Sequence, residues 1–402
     1  MVTDSKTSGK NSDLFDILYK HFGKTINKAR IRFMAAMVCA LCKMQTVSFG
    51  KLALAFGGKA DTDSVVRRIQ RFMANYALDL SAIARLIFRL LPHAGPYTLS
   101  MDRTTWEFGG FTVNALVLGI TYEGVAFPLL FRLLPKKGNS NTAERIDIIE
   151  RYIALFGKDS IDCLVADREF VGAGWMAYLN GLHIRYHIRI RENFWVTSPG
   201  TGSRFKASWA FLDLRVGQSK SLGGIYVVNG QMCYLSAARM KDEDGVPQLQ
   251  ILVSYNRPDE AAETYRKRWQ IETCFKSMKS SGFNIENTHL HDIERIERLF
   301  AIVTIAFLWA YLAGIHKTLN VKPIRILKNG RKAVSIFKYG LDYIAECLLN
   351  PQRIPKFDVF QILSCTYVNP KIHLNFGIDI SSRNINTNKG GLASRLCRIM
   401  SR

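Results

Sequence analysis

The chain has 402 residues, and 48% of them are hydrophobic, so it can bury a sizeable core and should fold as two or more globular domains. The 55 Lys and Arg residues outnumber the 33 Asp and Glu residues, and a formal charge of +22 attracts polyanions, chiefly nucleic acid or an anionic membrane. This composition excludes a disordered chain, and a chain of this length needs no disulfide framework, so we expect its eight cysteines to be reduced.

The first residues, MVTDSKTSGKNSDLF, are polar and include acids, so they resemble neither a secretory signal nor a transit peptide. Residues 299–315 are uncharged, a length at the lower limit for a membrane span. Because this run contains Thr304 and Gly314 and continues a charged amphipathic pattern, it favours a buried core helix. We therefore expect a cytoplasmic protein with no membrane partner.

Residues 1–94 are predicted to form a helical DNA-binding domain. Two short periodic segments, TVSFGKLALAF and SVVRRIQRFMANY, are separated by the breaker-rich GGKADTD, an outline typical of a helix-turn-helix. One side of the second segment is apolar and carries Val65, Ile69, Phe72 and Tyr76. The opposite side is basic and carries Arg67, Arg68 and Arg71. Two interpretations remain open: a solvated basic face, or a DNA contact, which the basic character of the whole chain favours.

Residues 95–190 are predicted to form the first part of a mixed α/β core. The runs YTLSMDRT, FTVNALVLGI and VAFPLLFRLL indicate three consecutive antiparallel strands. Asn141 and Glu144 fit a capping box for a helix that ends near residue 156. A buried strand (IDCLVAD), a helix near residues 172–182 and another strand (HIRYHIRIR) follow, so helix and strand alternate after the hairpins.

The second half of the chain changes pattern twice. Residues 191–256 are rich in glycine and in residues that favour strands, which suggests an inserted β-rich subdomain. Helical periodicity resumes at Asp259, so residues 257–315 are predicted to complete the core and residues 316–402 to form a helical C-terminal region. The tail from about Ser381 is polar and basic and is expected to be loose.

Two carboxylates follow predicted strands. Asp102 comes after the alternating strand YTLSM, and Asp167 ends the apolar strand CLVA. A carboxylate in such a place is costly unless it is paired or holds a cation. Taken singly, however, an Asp at a strand end is more often a turn or helix cap than a catalytic group.

A third carboxylate lies among cations in the segment DEAAETYRKRWQIETCFKSMKSSGF. If this segment is one continuous helix, an arc of about 60° at 100° per residue contains Tyr265, Arg268, Glu272 and Lys279. Lys276 and Trp269 extend this face, and the other face is apolar and should pack on the sheet. Ordinary surface ion pairs between residues four apart are the alternative. Phosphodiester chemistry, in contrast, needs oxygen ligands for two Mg²⁺ ions, with cations and an aromatic ring nearby to hold the strand.

The spacing Tyr265-x2-Arg268-x3-Glu272-x6-Lys279 resembles the Tyr-Arg-Glu-Lys signature of a large family of bacterial insertion-sequence transposases, the family named after insertion sequence four. The block around Asp102 (SMDRTTW) and the block around Asp167 (VADREFVG) are similar to the two other acidic regions of that family. The resemblance implies an RNase H-like catalytic core, interrupted by a β-rich insertion, over roughly residues 95–315.

By this resemblance Asp102, Asp167 and Glu272 are the catalytic residues and bind Mg²⁺ (or Mn²⁺), two ions in all. Tyr265, Arg268 and Lys279 handle phosphates at the end of the mobile element. The resemblance also implies a homodimer that holds two DNA ends, cleavage through a hairpin intermediate, and a displaced base held by an aromatic residue. Either Trp195 or Trp209 is a candidate for that aromatic, the alternative being an ordinary core or surface ring.

Arg103 and Arg168 follow the two Asp residues directly, and each is expected either to neutralise the site or touch DNA, or to form a structural salt bridge. His289, His291 and Asp292 lack a fourth ligand and helical spacing, so we do not assign zinc to them. The sequence thus predicts a metal-dependent DNA transposase. Two alternatives remain: a noncatalytic DNA-binding protein derived from such an enzyme, and a structure-selective nuclease that never rejoins strands.

Overall fold

The computed structural model describes residues 6–108, 111–242, 244–350 and 359–363. The loose tail predicted from about residue 381, and most of the predicted C-terminal region after residue 350, lie outside these residues. Gly109 and Gly110, at the first predicted strand connection, also lie outside them.

The N-terminal part is helical, as predicted, and comprises α1 (Lys6–Phe22), α2 (Lys28–Met44), α3 (Phe49–Leu54), α4 (Thr62–Asn75) and α5 (Leu80–Arg89). Local chemistry fixes the start of α4, because the carboxylate of Asp61 accepts a hydrogen bond from the backbone amide of Ser64. The apolar stripe predicted on α4 is confirmed, since the side chains of Val65, Ile69, Phe72 and Tyr76 are buried.

Three long strands follow, β1 (Tyr97–Phe108), β2 (Phe111–Tyr122) and β3 (Val125–Leu134). β2 pairs antiparallel with both neighbours, which confirms the three predicted hairpin strands. β2 is buried from Val113 to Thr121, and most of these residues are apolar, as expected of a strand in the interior of a covered sheet.

The chain then alternates between helix and strand through α6 (Thr142–Phe156), β4 (Ile161–Ala166), α7 (Ala173–Gly181) and β5 (Tyr186–Ile190). The predicted capping box starts α6: the amides of Asn141 and Glu144 each donate to the side chain of the other residue. β4 pairs in parallel with β1 and with β5, so the core strands run in the order β3-β2-β1-β4-β5. Antiparallel and parallel strand pairs thus adjoin at β1, which confirms the mixed α/β sheet that the sequence predicts.

The elements in the described residues between 195 and 254 are strands and one 3-10 helix: β6 (Trp195–Thr197), β7 (Arg204–Lys206), the 3-10 helix Ala207–Phe211, β8 (Ser219–Ser221), β9 (Tyr226–Val228), β10 (Gln231–Lys241) and β11 (Pro247–Ser254). The segment predicted as a β-rich insertion is therefore β-rich. It does not form a sheet of its own, because β11 pairs antiparallel with β5 and β10 with β11, so the core sheet continues into it.

The segment that carries the third candidate carboxylate forms two helices rather than one. The segment forms α8 (Ala261–Arg266) and α9 (Trp269–Met278), so the prediction of one continuous helix is wrong. Between them the amide of Arg268 donates to the carbonyl oxygen of Tyr265, three residues back, which is a tighter 3-10 turn. The Ser100 hydroxyl of β1 donates to the carbonyl oxygen of Arg268 at 3.4 Å, and this bond holds the turn against the sheet.

The long apolar helix is a core helix. α10 (Ile293–Asn320) is the one helix in the described residues whose length and hydropathy suit a membrane span, but 94% of its most apolar window is buried inside the protein. It crosses α11 (Ile336–Leu349) closely at a glycine: a Cβ added at Gly340 would lie 1.8 Å from the carbonyl oxygen of Ala310.

Candidate active site

Strand pairing brings the first two carboxylates together. Ser100 of β1 is paired with Val165 of β4, and the two strands run in parallel. Asp102 and Asp167 each lie two residues further along, so both side chains project from the same face of neighbouring chain segments. Strands in a sheet are about 4.8 Å apart, which sets the spacing between the two backbones at this point.

The third carboxylate meets Asp102 across one guanidinium group. Arg268 donates from Nη1 to Oδ2 of Asp102 at 3.3 Å and from Nη2 to Oε1 of Glu272 at 2.6 Å. Glu272 lies in the first turn of α9, and the 3-10 turn before it directs Arg268 toward the sheet. The carboxylates of β1 and α9 therefore share a single positive charge.

Burial governs the electrostatics of this group. Desolvation raises the pKa of Asp102 to about 7, although the backbone amide of Arg103 and the guanidinium of Arg268 act to lower it. The charges of Glu272 and Glu169 raise it further. Desolvation also acts to lower the pKa of Arg268, but Tyr265, Glu272 and Asp102 outweigh it, so the pKa of Arg268 is raised and its charge is retained. The site therefore concentrates negative charge that needs a cation.

Tyr265 connects the second carboxylate to the same group. Its hydroxyl donates to Oδ1 of Asp167 at 3.4 Å, and its ring packs with Cys163, Val165 and Leu252 on one face of the sheet. Tyr265 is only 3% exposed and Arg268 only 8%. Both side chains are buried because the break between α8 and α9 turns them toward the carboxylates, and their role with DNA phosphates stays a prediction.

Glu169 is a residue of this region that the sequence reading did not single out. It binds Arg103 through two hydrogen bonds, Nε to Oε1 at 3.2 Å and Nη2 to Oε2 at 3.1 Å. The remaining donors of Arg103 also have partners within the protein, namely Thr105, Asn114 and Asn139. Of the two expectations for Arg103, the geometry favours the structural salt bridge over a DNA contact. The signal was present in the VADREFVG block, where Glu169 lies two residues after Asp167.

The other predicted DNA-binding residues near the site are more open. Lys279 caps the end of α9 and donates to the carbonyl oxygen of Thr105 at 2.8 Å, while Glu286 lies 3.0 Å from its ammonium group. Lys276 is exposed, and Trp269 is 57% exposed with the Arg268 guanidinium 5.1 Å from its ring centre. Trp269, Glu272 and Lys276 share one face of α9 because they lie three and four residues apart.

The remaining candidates are distributed over the surface. Arg168 is exposed and forms no ion pair with any residue that the structure describes. Arg67, Arg68 and Arg71 are exposed along α4, as the sequence predicts. Trp195 is 43% exposed and Trp209 58%.

The donor set fits a hard divalent cation in its chemistry. Carboxylate oxygens are the ligands that Mg²⁺ prefers, and Asp102 and Glu272 already converge on one cationic group. As arranged, no three His, Cys, Asp or Glu side chains within the described ranges lie close enough to hold one ion. The guanidinium of Arg268 lies between two of the three predicted ligands, so the same carboxylates that would hold a metal ion are here neutralised by an arginine.

Comparisons with known proteins identify a family and one solved structure to which this chain is similar. The family described as the transposase DDE domain matches residues 94–309, which include Asp102, Asp167 and Glu272. No curated protein matches the sequence. A solved structure of the piggyBac transposase synaptic complex with hairpin DNA aligns with 90% of this chain and 83% of its own, at a TM-score of 0.44 and 11% identity. Because the family match spans more than half of the 402 residues, the chain belongs to the transposase DDE domain family.

Proposed function

We propose that this protein is a cut-and-paste DNA transposase of the insertion-sequence family named after insertion sequence four, acting as a homodimer on two element ends in the bacterial cytoplasm. The observation that carries the proposal is the convergence of Asp102 and Glu272 on one cationic group, with Asp167 directly after the neighbouring strand. The spacing Tyr265-x2-Arg268-x3-Glu272-x6-Lys279 supports the assignment to that family.

Asp102, Asp167 and Glu272 would hold Mg²⁺ or Mn²⁺, which when bound supplies a Lewis acid and an activated water at the phosphodiester. The protein side chains around them have separate tasks. Arg268 compensates the buried carboxylates, and Tyr265 orients Asp167 through its hydroxyl. Lys276 and Lys279 supply positive charge for phosphates, and the exposed ring of Trp269 offers a stacking surface beside them.

The reaction needs no covalent bond between protein and DNA. Water attacks the phosphorus at the element end, the P–O3′ bond breaks, and a free 3′-hydroxyl remains. That hydroxyl then attacks a phosphodiester of the complementary strand, so a P–O bond is exchanged and a hairpin closes. Opening of the hairpin by water regenerates the 3′-hydroxyl, which attacks target DNA in the same way.

Trp195 is the better candidate to hold a displaced base during hairpin formation. The ammonium group of Lys206 lies 3.9 Å from the centre of its ring, and the guanidinium of Arg204 lies 4.8 Å from it. Trp195 and Arg204 border a cleft of about 530 Å³. The half-exposed ring of Trp195 with its two cations suits one base and its flanking phosphates. In the described part of the chain, no cation lies over the ring of Trp209.

A strand-transfer assay tests the proposal. The protein is incubated with Mg²⁺, a labelled duplex that carries the native element end, and an unlabelled supercoiled plasmid. We expect a hairpin on the element end and, later, label joined covalently to the plasmid. Cleavage without any joined product would support the nuclease alternative. Binding to the end without cleavage, in Mg²⁺ and in Mn²⁺, would support the noncatalytic DNA-binding alternative.

A further inference from the structure

A deep groove separates the N-terminal helices from the chain segment that leads into α10. Its volume is about 1020 Å³. One wall is formed by α3 and by the basic side of α4, including Arg67, Arg68 and Arg71. The other wall is formed by residues 287–290 together with Arg295, in the first turn of α10.

The groove is positively charged on both walls. No Asp or Glu belongs to its lining. Arg67, Arg71 and Arg295 are exposed, and none of the three forms an ion pair with any other residue of the described ranges. Unpaired cations held at close spacing repel each other, so such a lining is stable chiefly with counter-ions or with a polyanion in place.

The two walls are tied to each other. Arg298, one turn after Arg295, donates from Nη1 to the carbonyl oxygens of Met73 and Ala74 at the end of α4, the second of these at 3.3 Å. These carbonyls belong to the last turn of the helix and have no partner within it, which makes them good acceptors for a cation. The width of the groove is therefore fixed by the fold.

The groove also continues toward the candidate active site. A second cleft of about 420 Å³ shares Ser48, Asn287, Thr288 and His289 with it and adds Lys51 and Glu286. Glu286 is the ion-pair partner of Lys279, which is bonded to Thr105 on β1. Thr105 and Asp102 lie on the same strand, so a ligand that lies along both clefts approaches the candidate active site.

We propose that this groove binds the phosphate backbone of duplex DNA. Its second wall contacts, through His289 and Arg295, the same stretch of DNA as the arginines of α4. The inference rests on the proposed function and deepens it: DNA is held from both sides, not by the N-terminal helices alone. A duplex fits the lining better than a single strand, because the lining offers four arginines but, besides the imidazole of His289, one aromatic ring for stacking, that of Phe49.

The salt dependence of DNA binding tests this inference in the full-length protein. The probe is a random-sequence duplex of about 30 base pairs, and its Kd is measured over a series of salt concentrations without divalent ions. Each phosphate contact contributes about 0.9 to the slope of log Kd against log salt. We expect Arg295→Ala and Arg67→Ala each to lower that slope by about one. Arg331→Ala, beyond the opposite end of α10, is the matched control and should leave the slope unchanged.

Two results would overturn the inference. One is a slope for Arg295→Ala equal to that of the parent and of Arg331→Ala. The other is competition by polyglutamate as effective as that by the duplex at equal charge, which would point to an acidic protein partner. Neither result bears on catalysis, since no cleavage is measured. A different pair of results would separate the two proposals. If the parent protein fails to join strands but Arg295→Ala lowers the salt slope, the proposed function is contradicted and the groove is still supported as a DNA site.

Discussion

At the scale of single residues, the site depends on charges that are compensated in pairs. Asp102 and Glu272 share Arg268, and Arg103 holds Glu169 in a two-bonded pair. Glu169 lies two residues after Asp167, and Arg103 directly follows Asp102, so their pair links the two chain segments that carry the aspartates. Glu169 is therefore a positioning residue, since it acts on the site through its neighbour.

We expect Glu169→Gln to weaken this link and to slow DNA cleavage while DNA binding persists. Loss of one partner leaves Arg103 half-buried and incompletely paired, which should lower the free energy of unfolding by about 1–3 kcal/mol. Urea unfolding and single-turnover cleavage measure the two effects. Glu150→Gln, an exposed glutamate on α6 without an ion pair in the described structure, is the control. If the two variants unfold and cleave DNA alike, Glu169 has no positioning role at the site.

A second prediction at this scale separates the two candidate tryptophans. Trp195→Ala should leave the first nick intact and reduce hairpin formation about tenfold or more, because stacking on one base contributes about 1–3 kcal/mol. Trp209→Ala should leave both steps unchanged. Denaturing gels that resolve nicked and hairpin products give the ratio directly. A reversed pattern, with Trp209 required and Trp195 dispensable, would contradict our choice.

At the scale of secondary-structure elements, close approach between helices decides where glycine is needed. Gly340 of α11 lies against the backbone of α10, where an added Cβ would be 1.8 Å from the Ala310 carbonyl oxygen and 2.3 Å from the Gly314 nitrogen. Backbone atoms cannot yield as the end of a flexible side chain can. The helices would have to move apart, and α10 is the central buried helix of the protein.

We therefore expect Gly340→Ala to destabilise the protein by at least about 1–3 kcal/mol, the usual cost of overpacking. The sign is informative, since Gly→Ala inside a helix normally stabilises by up to about 1 kcal/mol. Thermal and urea unfolding provide the measurement. Gly57→Ala, where an added Cβ meets nothing within 4 Å, is the control. If Gly340→Ala left the free energy of unfolding unchanged or raised it, α10 and α11 would be packed too loosely at this point for the added Cβ to clash.

Much of the element pattern could be predicted from the sequence because it is local. The hairpin strands, the capping box of α6 and the apolar stripe of α4 each depend on residues close in the chain. The turn at Arg268 could not be predicted, because it depends on a hydroxyl of β1 more than 160 residues away. The Arg103–Glu169 pair and the second wall of the groove could not be predicted for the same reason, because each forms only when segments that are distant in the sequence meet in the fold.

At the scale of the whole molecule, buried histidines make stability depend on pH. His187 on β5 is fully buried, its Nδ1 lies 2.7 Å from the Ser254 hydroxyl, and its Nε2 has no protein partner. Burial first, and then the charge of Arg185, lower the pKa of His187 to about 3. Between that value and about 6.5 the unfolded chain binds a proton that the folded protein does not.

His187 should therefore lower the free energy of unfolding by about 1.4 kcal/mol for each pH unit of acidification below 6.5. Asp102 acts in the opposite direction over part of this range, because its pKa is raised when the protein folds. Comparison with a His187→Gln variant isolates the histidine contribution. Urea unfolding at pH 7, 6 and 5 should give a parent curve that is steeper than the variant curve by that amount. Parallel curves would mean that His187 is accessible to protons in the folded protein.

The central claim for the whole molecule is that the three carboxylates perform chemistry on bound DNA. Glu272→Gln tests it most directly, since Gln keeps the size of the side chain and can still accept a hydrogen bond from Arg268, but it loses the charge that holds a cation. The measurement is cleavage of a duplex carrying the native element end with Mg²⁺ or Mn²⁺, beside Kd for the same duplex without metal. We predict cleavage reduced by orders of magnitude, because each ~1.4 kcal/mol of lost transition-state stabilisation is tenfold, with binding unchanged or tighter. Cleavage by the variant at the parent rate would contradict the account.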